Sequence, residues 1–448
     1  MMVGGLFISL ELFAQQSSEK PNFVVIVTDD QAYRAIGYNN PDVLTPHLDA
    51  LASKGLVFDF AFTASPVCVA SRASMLTGLY PQTNGTVALD SKSFVQNVVV
   101  EKKFETLAQL LRKAGYFTYF SGKSHLGNPL DYGFQQGEET FGHDDEDAFN
   151  QAQKFLIDSP VDRPFLLWLA PRQPHLPLLP AQEWLDLYPL GKIKLDKNFR
   201  KYPLKGSLFN QGLPGERLYR DTDYKHNVDS LSSGPPRSKR TMKKFIQAYY
   251  ATISKLDDQI GKLVSVLDSG RQLENTVFIF LSDNGYFLGN HGLGNKLTMH
   301  EESVRVPFFM YWNNPLMQRG RTPALVSTVD LMPTILDIAG VRPPDHLQGV
   351  SLKKILLGQA GSAGEYVVSE SVGVGGQLGL GHRMVRTKQW KYILSDENEE
   401  ALFDLNKDPF ELKNLINRKS YAPQLVQLRI YYCRWREYVR DKKQLPPC

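Results

Sequence analysis

Cys68 and Arg72 stand four positions apart in Cys68-Val-Ala-Ser-Arg72, and the run continues as Ala73-Ser-Met-Leu-Thr-Gly78, which reads as a helix closed by Gly78. Residues four apart on a helix share a face, so the thiol and the guanidinium can address one point. A nucleophile at a helix start also meets unpaired backbone N–H groups and the positive end of the dipole, which favour an anion. A buried structural cysteine would give the same local pattern. Two acidic pieces lie elsewhere: Asp29-Asp30, and Ser282-Asp283-Asn284-Gly285. Asp29, Asp30, Asp283 and Asn284 are hard oxygen donors with no competing Cys or His pair, a set that selects Ca²⁺ or Mg²⁺ over zinc. Taken singly, each acid is equally a helix cap. Lys123 and His125 in Gly122-Lys-Ser-His125, His175 in Pro174-His-Leu-Pro177, and Lys296 in His291-Gly-Leu-Gly-Asn-Lys296 complete the candidates.

The elements that must position these residues are legible around them. Asn22-Phe-Val-Val-Ile-Val-Thr28 is a continuous apolar, β-branched run, the pattern of a central parallel strand, and it stops at Asp29-Asp30. Tyr116–Phe120, Phe165–Ala170 and Thr276–Leu281 repeat the form and run into Ser121–His125, Pro171–His175 and Ser282–Gly285. Open α/β sheets carry their sites at that edge. Helical stretches at Pro46–Lys54, Glu105–Ala114 and Lys244–Leu267 alternate with the strands, so the expected fold is α/β: a large mixed, mostly parallel sheet flanked by helices. Residues 181–240, polar and rich in Gly, Pro and Lys, read as a loop insertion over the site within a catalytic domain at 21–345. A Pro-rich stretch at Arg342–Pro344 and a Gly-rich one at Gly373–Gly381 flank the change to a smaller unit at 365–448. There, His382–Thr387 and Trp390–Leu394 read as antiparallel strands and Pro423–Tyr438 as a closing helix.

Together the motifs resemble, in order along nearly the whole chain, the type I, formylglycine-dependent sulfatases of the alkaline phosphatase-like superfamily. Cys68 through Leu79-Tyr-Pro81 is similar to that family's Cys-x-Pro-Ser-Arg signature and its Leu-Thr-Gly run; Leu402–Leu405, Asp408-Pro409, Glu411-Leu412 and Asn414-Leu415 resemble its closing region. The resemblance implies that Cys68 is converted by a formylglycine-generating maturase and that one Ca²⁺ is held by Asp29, Asp30, Asp283, Asn284 and the position 68 side chain. It further implies that Arg72 and Lys123 hold the formylglycine hydrate, that His125 takes a proton as the sulfated intermediate collapses, and that His175 and Lys296 contact the sulfate. His291 is expected behind these residues, away from substrate. Position 70 is Ala where the commonest family pattern has Pro, which leaves the identity of the maturase open.

The implied activity is removal of sulfate from a sulfated saccharide, glucosamine-6-sulfate being one candidate. A phosphonate or phosphodiester hydrolase of the same superfamily and an inactive glycan-binding homologue are the alternatives. Composition excludes other classes. With 42% hydrophobic and 22% charged residues the chain is not disordered, and its net charge of +4 comes with no basic helix or zinc-finger spacing that would bind nucleic acid. The apolar run Val3–Phe13 before Ala14-Gln-Gln-Ser-Ser18 reads as the end of a signal peptide over residues 1–16, although Glu11 interrupts it and no Lys or Arg precedes it; a buried N-terminal strand is the alternative. A secreted or periplasmic protein is expected. No later run reaches the roughly 18 apolar residues of a membrane span, so no stable membrane insertion is expected. Three cysteines make no disulfide framework; in an exported protein Cys433 and Cys448 could pair and leave Cys68 alone.

Overall fold

Every residue of Asn22–Thr28 is buried, and the side chains alternate between two cores. Phe23, Val25 and Val27 face one; Val24 and Ile26 face the other. This sandwiched strand sets the plan of the computed structural model, which describes residues 20–86, 100–142, 144–158, 163–201, 238–371, 381–396, 398–441 and 448. The expected signal peptide at 1–16 lies outside them, as do most of the 181–240 insertion and most of the Gly373–Gly381 stretch.

Fourteen strands are described: β1 (Asn22–Thr28), β2 (Leu56–Phe62), β3 (Phe117–Gly122), β4 (Gln136–Glu139), β5 (Phe165–Ala170), β6 (Thr276–Ser282), β7 (Phe287–Leu288), β8 (Gly294–Asn295), β9 (Phe308–Trp312), β10 (Gly320–Ser327), β11 (Val367–Ser371), β12 (His382–Arg386), β13 (Trp390–Ser395) and β14 (Glu400–Asp404). Eight form one sheet in the order β10-β2-β9-β6-β1-β5-β3-β4. Its pairs are parallel except those of β9, which runs antiparallel to both β2 and β6. The sheet is thus large, mixed and mostly parallel. Helices cover both faces. On the Val24 side lie α1 (Pro46–Lys54), α4 (Glu146–Asp158) and α5 (Lys239–Ser269); on the Val25 side lie α2 (Cys68–Thr77), α3 (Leu107–Lys113) and α6 (Leu331–Ile338).

Helix α5 shows why the sequence folds this way. Ser238 caps it by accepting from the Thr241 N–H at 3.0 Å. Ile253, Leu256, Ile260, Leu263 and Leu267 then recur at spacings of three and four, and all are buried. Each such side chain contributes about 1.5–3 kcal/mol by leaving water. The helix starts five residues before the expected Lys244, so the insertion ends inside α5; it also contains a short helix at Gln182–Asp186.

The smaller unit is the antiparallel sheet β11-β12-β13-β14, packed under α7 (Ala422–Val439). Val368, Val385, Tyr392, Leu394 and Leu402 from the sheet meet Leu428, Tyr432 and Trp435 from the helix. Cys433 and Cys448 form a disulfide, which ties the last residue to α7 and leaves Cys68 as a buried free thiol. None of the described helices is long and apolar enough to cross a membrane.

Candidate active site

Strands β1 and β6 are parallel neighbours in register Thr28↔Ser282, so Asp29-Asp30 and Asp283-Asn284 leave the sheet side by side. The Asp283 Oδ1 accepts from the backbone N–H of Asn284 at 2.7 Å and of Asp30 at 3.2 Å, which fastens the two turns together. Asp30 takes a positive φ of 65°, and its carbonyl accepts from the Tyr249 hydroxyl of α5. Helix α2 is set over this edge by Ser71, whose hydroxyl donates to the Asp283 carbonyl at 2.6 Å. Cys68, at the first position of α2, is thereby brought against the acids: ligand atoms of Asp29, Cys68 and Asp283 lie within 4.8 Å of one another.

The cations arrive from three directions. Arg72 donates from Nε to Asp283 Oδ2 at 2.8 Å and from Nη1 to the Lys123 carbonyl at 2.8 Å. Lys123 leaves β3 just after Gly122, where a Cβ would sit 2.2 Å from the Ala170 carbonyl oxygen; only glycine lets β3 close on β5 there. The Lys123 Nζ pairs with Asp29 Oδ2, and the Lys296 Nζ pairs with Asp30 Oδ1 and stands 3.9 Å from Asp29 Oδ1. Burial would raise the Asp29 carboxyl, but Lys123, His175, Lys296 and Arg72 together hold it well below the usual range. Burial would lower Lys296; Asp30 and the other anionic groups raise it instead. Asp283 is pushed up to about 8 by burial and by Asp29.

Two histidines stand at the opening. His125 takes a φ of 60°, and both its N–H and that of Ser124 donate to Glu139 Oε1 at 3.1 Å. Its Nδ1 is buried without a hydrogen-bond partner. Burial and the neighbouring Lys123 push it down to about 3, so the ring is neutral at pH 7. His175 lies between two cis X-Pro bonds, its Nδ1 is 2.7 Å from the Leu176 carbonyl oxygen, and its Nε2 is 3.8 Å from Asp30 Oδ2. Burial and Lys123 push it down to about 4. Its side chain is 33% exposed, while those of Lys123, Lys296 and Arg72 are nearly closed off, so access is from the histidine side.

The structure therefore brings Asp29, Asp30, Cys68, Arg72, Lys123, His125, His175, Asp283, Asn284 and Lys296 to one sheet edge. His291 goes elsewhere: its Nε2 is 3.1 Å from Asn198 Nδ2 and 3.7 Å from Glu302 Oε2, and its ring lies against His300. The charges it feels are Lys391 and Arg200, not those of the site. Glu139 and Asp145 escaped sequence reasoning. Asp145 accepts from the N–H groups of Arg172 and Gln173 at 2.7 and 2.8 Å and so fixes the segment that carries His175. No local pattern marks either acid, because each acts on a loop from another strand.

A hard cation fits these residues. Asp29 Oδ1 and Asn284 Oδ1 are buried oxygens with no hydrogen-bond donor, and Asn284 Nδ2 is spent on Asp30 Oδ1 at 2.7 Å and the Gly285 carbonyl at 2.8 Å, which turns its oxygen the other way.

The family models and the curated relatives agree on one family, and solved structures share its fold. The family model described as Sulfatase matches residues 21–341, and that described as N-sulphoglucosamine sulphohydrolase, C-terminal, matches 289–434. An arylsulfatase of Clostridium perfringens is 29% identical over 92% of this chain and 93% of its own length. A structure solved in complex with its substrate D-glucosamine-2-N,6-O-disulfate superposes with a TM-score of 0.81 at 23% identity, covering 95% of this chain and 99% of that one. A phosphonate monoester hydrolase from Silicibacter pomeroyi superposes with a TM-score of 0.79 at 20% identity, covering 95% and 96%.

Proposed function

Because this chain belongs to the sulfatase family and is a sulfuric ester hydrolase, we propose that it removes sulfate from a sulfated carbohydrate, using a formylglycine made from Cys68 beside one Ca²⁺. The observation that carries this reading is the meeting of Cys68 with Asp29 and Asp283 at the start of α2, beside buried acceptors that no donor satisfies. Asp29, Asp30, Asp283 and Asn284 would hold the ion, which supplies charge neutralisation to the sulfate oxygens when bound. A formylglycine-generating maturase, supplying the oxidant, would convert the Cys68 thiol to an aldehyde with loss of its sulfur, and hydration of that aldehyde would give position 68 its hydroxyl nucleophile.

The remaining steps belong to the chain's own side chains. Arg72 and Lys123 place positive charge at position 68 and favour an ionised oxygen there. His125, neutral and with an unclaimed Nδ1, accepts a proton at the same place. Lys296 lies deep beside Asp30 and contacts the sulfate; His175, nearer the opening, reaches the bridging oxygen of the leaving alcohol. A carbohydrate substrate is supported by the sulfated glucosamine bound to the similar structure and by the N-sulphoglucosamine sulphohydrolase match over the C-terminal part. Export through the N-terminal segment, to the periplasm or beyond, is supported by the Cys433–Cys448 disulfide, which persists in oxidising compartments.

The test is a screen of sulfated monosaccharides and oligosaccharides by mass, run beside nitrophenyl sulfate and a nitrophenyl phosphonate ester, on protein coexpressed with a maturase. Desulfation of a sugar, with the position 68 peptide carrying an aldehyde in place of the thiol, is the expected result. Faster turnover of the phosphonate than of every sulfate would replace the reading with the phosphonate hydrolase, and full activity with an unmodified thiol would remove the nucleophile.

A further inference from the structure

Asp145 is buried, takes a left-handed φ of 60° and stands at the last position before α4. Its carboxylate serves another segment: Oδ1 accepts from the Arg172 N–H at 2.7 Å and Oδ2 from the Gln173 N–H at 2.8 Å. The start of α4 is met instead by Asp144, whose Oδ1 accepts from the Glu146 N–H at 3.3 Å. Burial disfavours the Asp145 charge; the two N–H groups and, more weakly, the Arg172 guanidinium favour it. A buried carboxylate on a strained backbone is costly, and such residues gather where a site must be held in one geometry.

The segment it holds touches the centre twice. Arg172–His175 is a turn closed by the His175 N–H on the Arg172 carbonyl at 2.9 Å, so Asp145 grips its first two residues and His175 is its last. The Gln173 carbonyl accepts from the Asp29 N–H at 3.3 Å, which stitches the same turn to the end of β1. The Asp145 corner is braced in turn by α5, where Gln259 Nε2 donates to the Asp144 carbonyl at 3.2 Å; the same helix holds Asp30 through Tyr249. The place of His175 relative to Asp29 and Asp30 therefore depends on a carboxylate from a different element.

We propose that Asp145 is a positioning residue for the leaving group: it keeps His175 in reach of the bridging oxygen and so sets how well sulfates of poorly leaving alcohols are cleaved. The inference rests on the sulfatase reading and on the role of His175 within it. The S–O bond to the sugar breaks as sulfur bonds to the ionised oxygen at position 68. The electron pair of the broken bond goes to the bridging oxygen, which takes a proton from His175 Nε2 and departs as the alcohol, while Nδ1 stays on the Leu176 carbonyl. A nitrophenolate leaves without that proton, so only the sugar ester depends on where His175 stands.

The test compares Asp145→Asn with the wild type on a sugar sulfate and on nitrophenyl sulfate. Asparagine keeps one acceptor and turns an NH₂ group toward the other N–H. On the sugar sulfate kcat/KM should fall about tenfold or more, the loss that a misplaced catalytic group brings, and on nitrophenyl sulfate by less than about threefold. Asp145→Asn added to His175→Ala should slow the sugar reaction no further, because the carboxylate acts through the histidine. Equal losses on the two esters, or losses that add to that of His175→Ala, would mark a general loosening and overturn the proposal. Hydrogen exchange on protein that keeps the Cys68 thiol reads the geometry without turnover. The peptide spanning 172–175 should lose protection in Asp145→Asn, and unchanged protection would equally overturn the role. Asp145→Ser, a residue well accepted before a helix, carries the same expectations as a second variant. A wild-type enzyme inert on both esters would sink the sulfatase reading, whereas activity with equal losses sinks only the positioning role.

Discussion

Two buried clusters in this molecule have the same formal charges and opposite behaviour. At the sheet edge, Asp29, Asp30 and Asp283 face Arg72, Lys123 and Lys296. Where the second sheet meets the first, Glu301, Glu302 and Glu411 face Arg305, Arg386 and Lys391. The junction is closed. Lys391 Nζ is 2.8 Å from both Glu301 and Glu411 and donates to the Met299 carbonyl at 2.9 Å; Arg305 donates to the Asp59 carbonyl and lies 3.8 Å over the Tyr33 ring. Burial would raise Glu301, yet Arg386, Lys391 and Arg305 hold it well below the usual range. The edge is left open, with Asp29 Oδ1 and Asn284 Oδ1 unclaimed and a histidine at the door. Charge balance alone therefore does not separate a structural cluster from a reactive one. The junction too keeps an unclaimed acceptor, Glu302 Oε2; what sets the edge apart is the partly exposed His175 that opens it to solvent.

The largest effect should come from Cys68→Ala. Turnover should vanish to the detection limit of the nitrophenyl sulfate assay, while the melting free energy moves by no more than about 1 kcal/mol, since a small residue at a helix start costs little. A variant that unfolds would place Cys68 with the junction residues, as packing. Chelation comes next. Activity should disappear with a strong chelator and return with Ca²⁺, and Asp283→Ala should bind Ca²⁺ about tenfold more weakly or worse by calorimetry. Undiminished turnover in metal-free enzyme would make the edge as self-sufficient as the junction.

The junction answers with stability instead. Lys391 has a fully buried side chain, and Lys391→Met leaves Glu301 and Glu411 without their shared cation. Breaking a buried pair from one side costs about 3–5 kcal/mol, so a large fall in the denaturant midpoint is expected, with kcat per folded molecule unchanged within about twofold. A variant of normal stability and lost activity would invert the comparison.

The edge was far more legible in the sequence than the junction. Phe165–Ala170 and Asn22–Thr28 are strands at their expected bounds, because a doubly buried strand is apolar at every position. The polar residues that follow such runs must emerge at one edge, and hence the centre could be assembled from spacing and resemblance. β2 was not legible: Asp59 breaks Leu56–Phe62 and is compensated by Arg321, which lies far along the chain. β11 and β14 were missed for a like reason. Each is a five-residue strand that carries acids, Glu370 in one and Glu400 and Asp404 in the other. His291 was expected behind the catalytic residues because it sits in the motif that ends at Lys296. In the fold, that short stretch passes from the junction to the edge, with His291 near Glu302 and Lys296 near Asp30. Proximity in sequence does not survive a turn between two clusters.

The smallest effect concerns Glu302, whose Oε2 is buried without a partner while Oε1 accepts from Asn198 at 2.6 Å. Burial and the neighbouring Glu411 push its carboxyl up to about 8 from an ordinary value of 4.5. The sign follows from proton counting. Below pH 4.5 both the folded and the unfolded chain keep this proton, and Glu302 exacts no penalty. Between pH 4.5 and about 8 the unfolded chain releases it and the folded chain retains it, so this group's contribution to stability falls as pH rises. Glu302→Gln keeps the bond from Asn198 and removes the titration. Its melting temperature should equal that of the wild type near pH 5 and exceed it progressively toward pH 8, in calcium-saturated protein. His291, 3.7 Å from Glu302 and pushed down to about 4 by burial and Lys391, stays neutral in the folded protein across this range. Parallel melting curves across that range would show that Glu302 is ionised in the folded protein, and the junction would then carry a carboxylate without a Lys or Arg partner, unlike the paired acids of the edge.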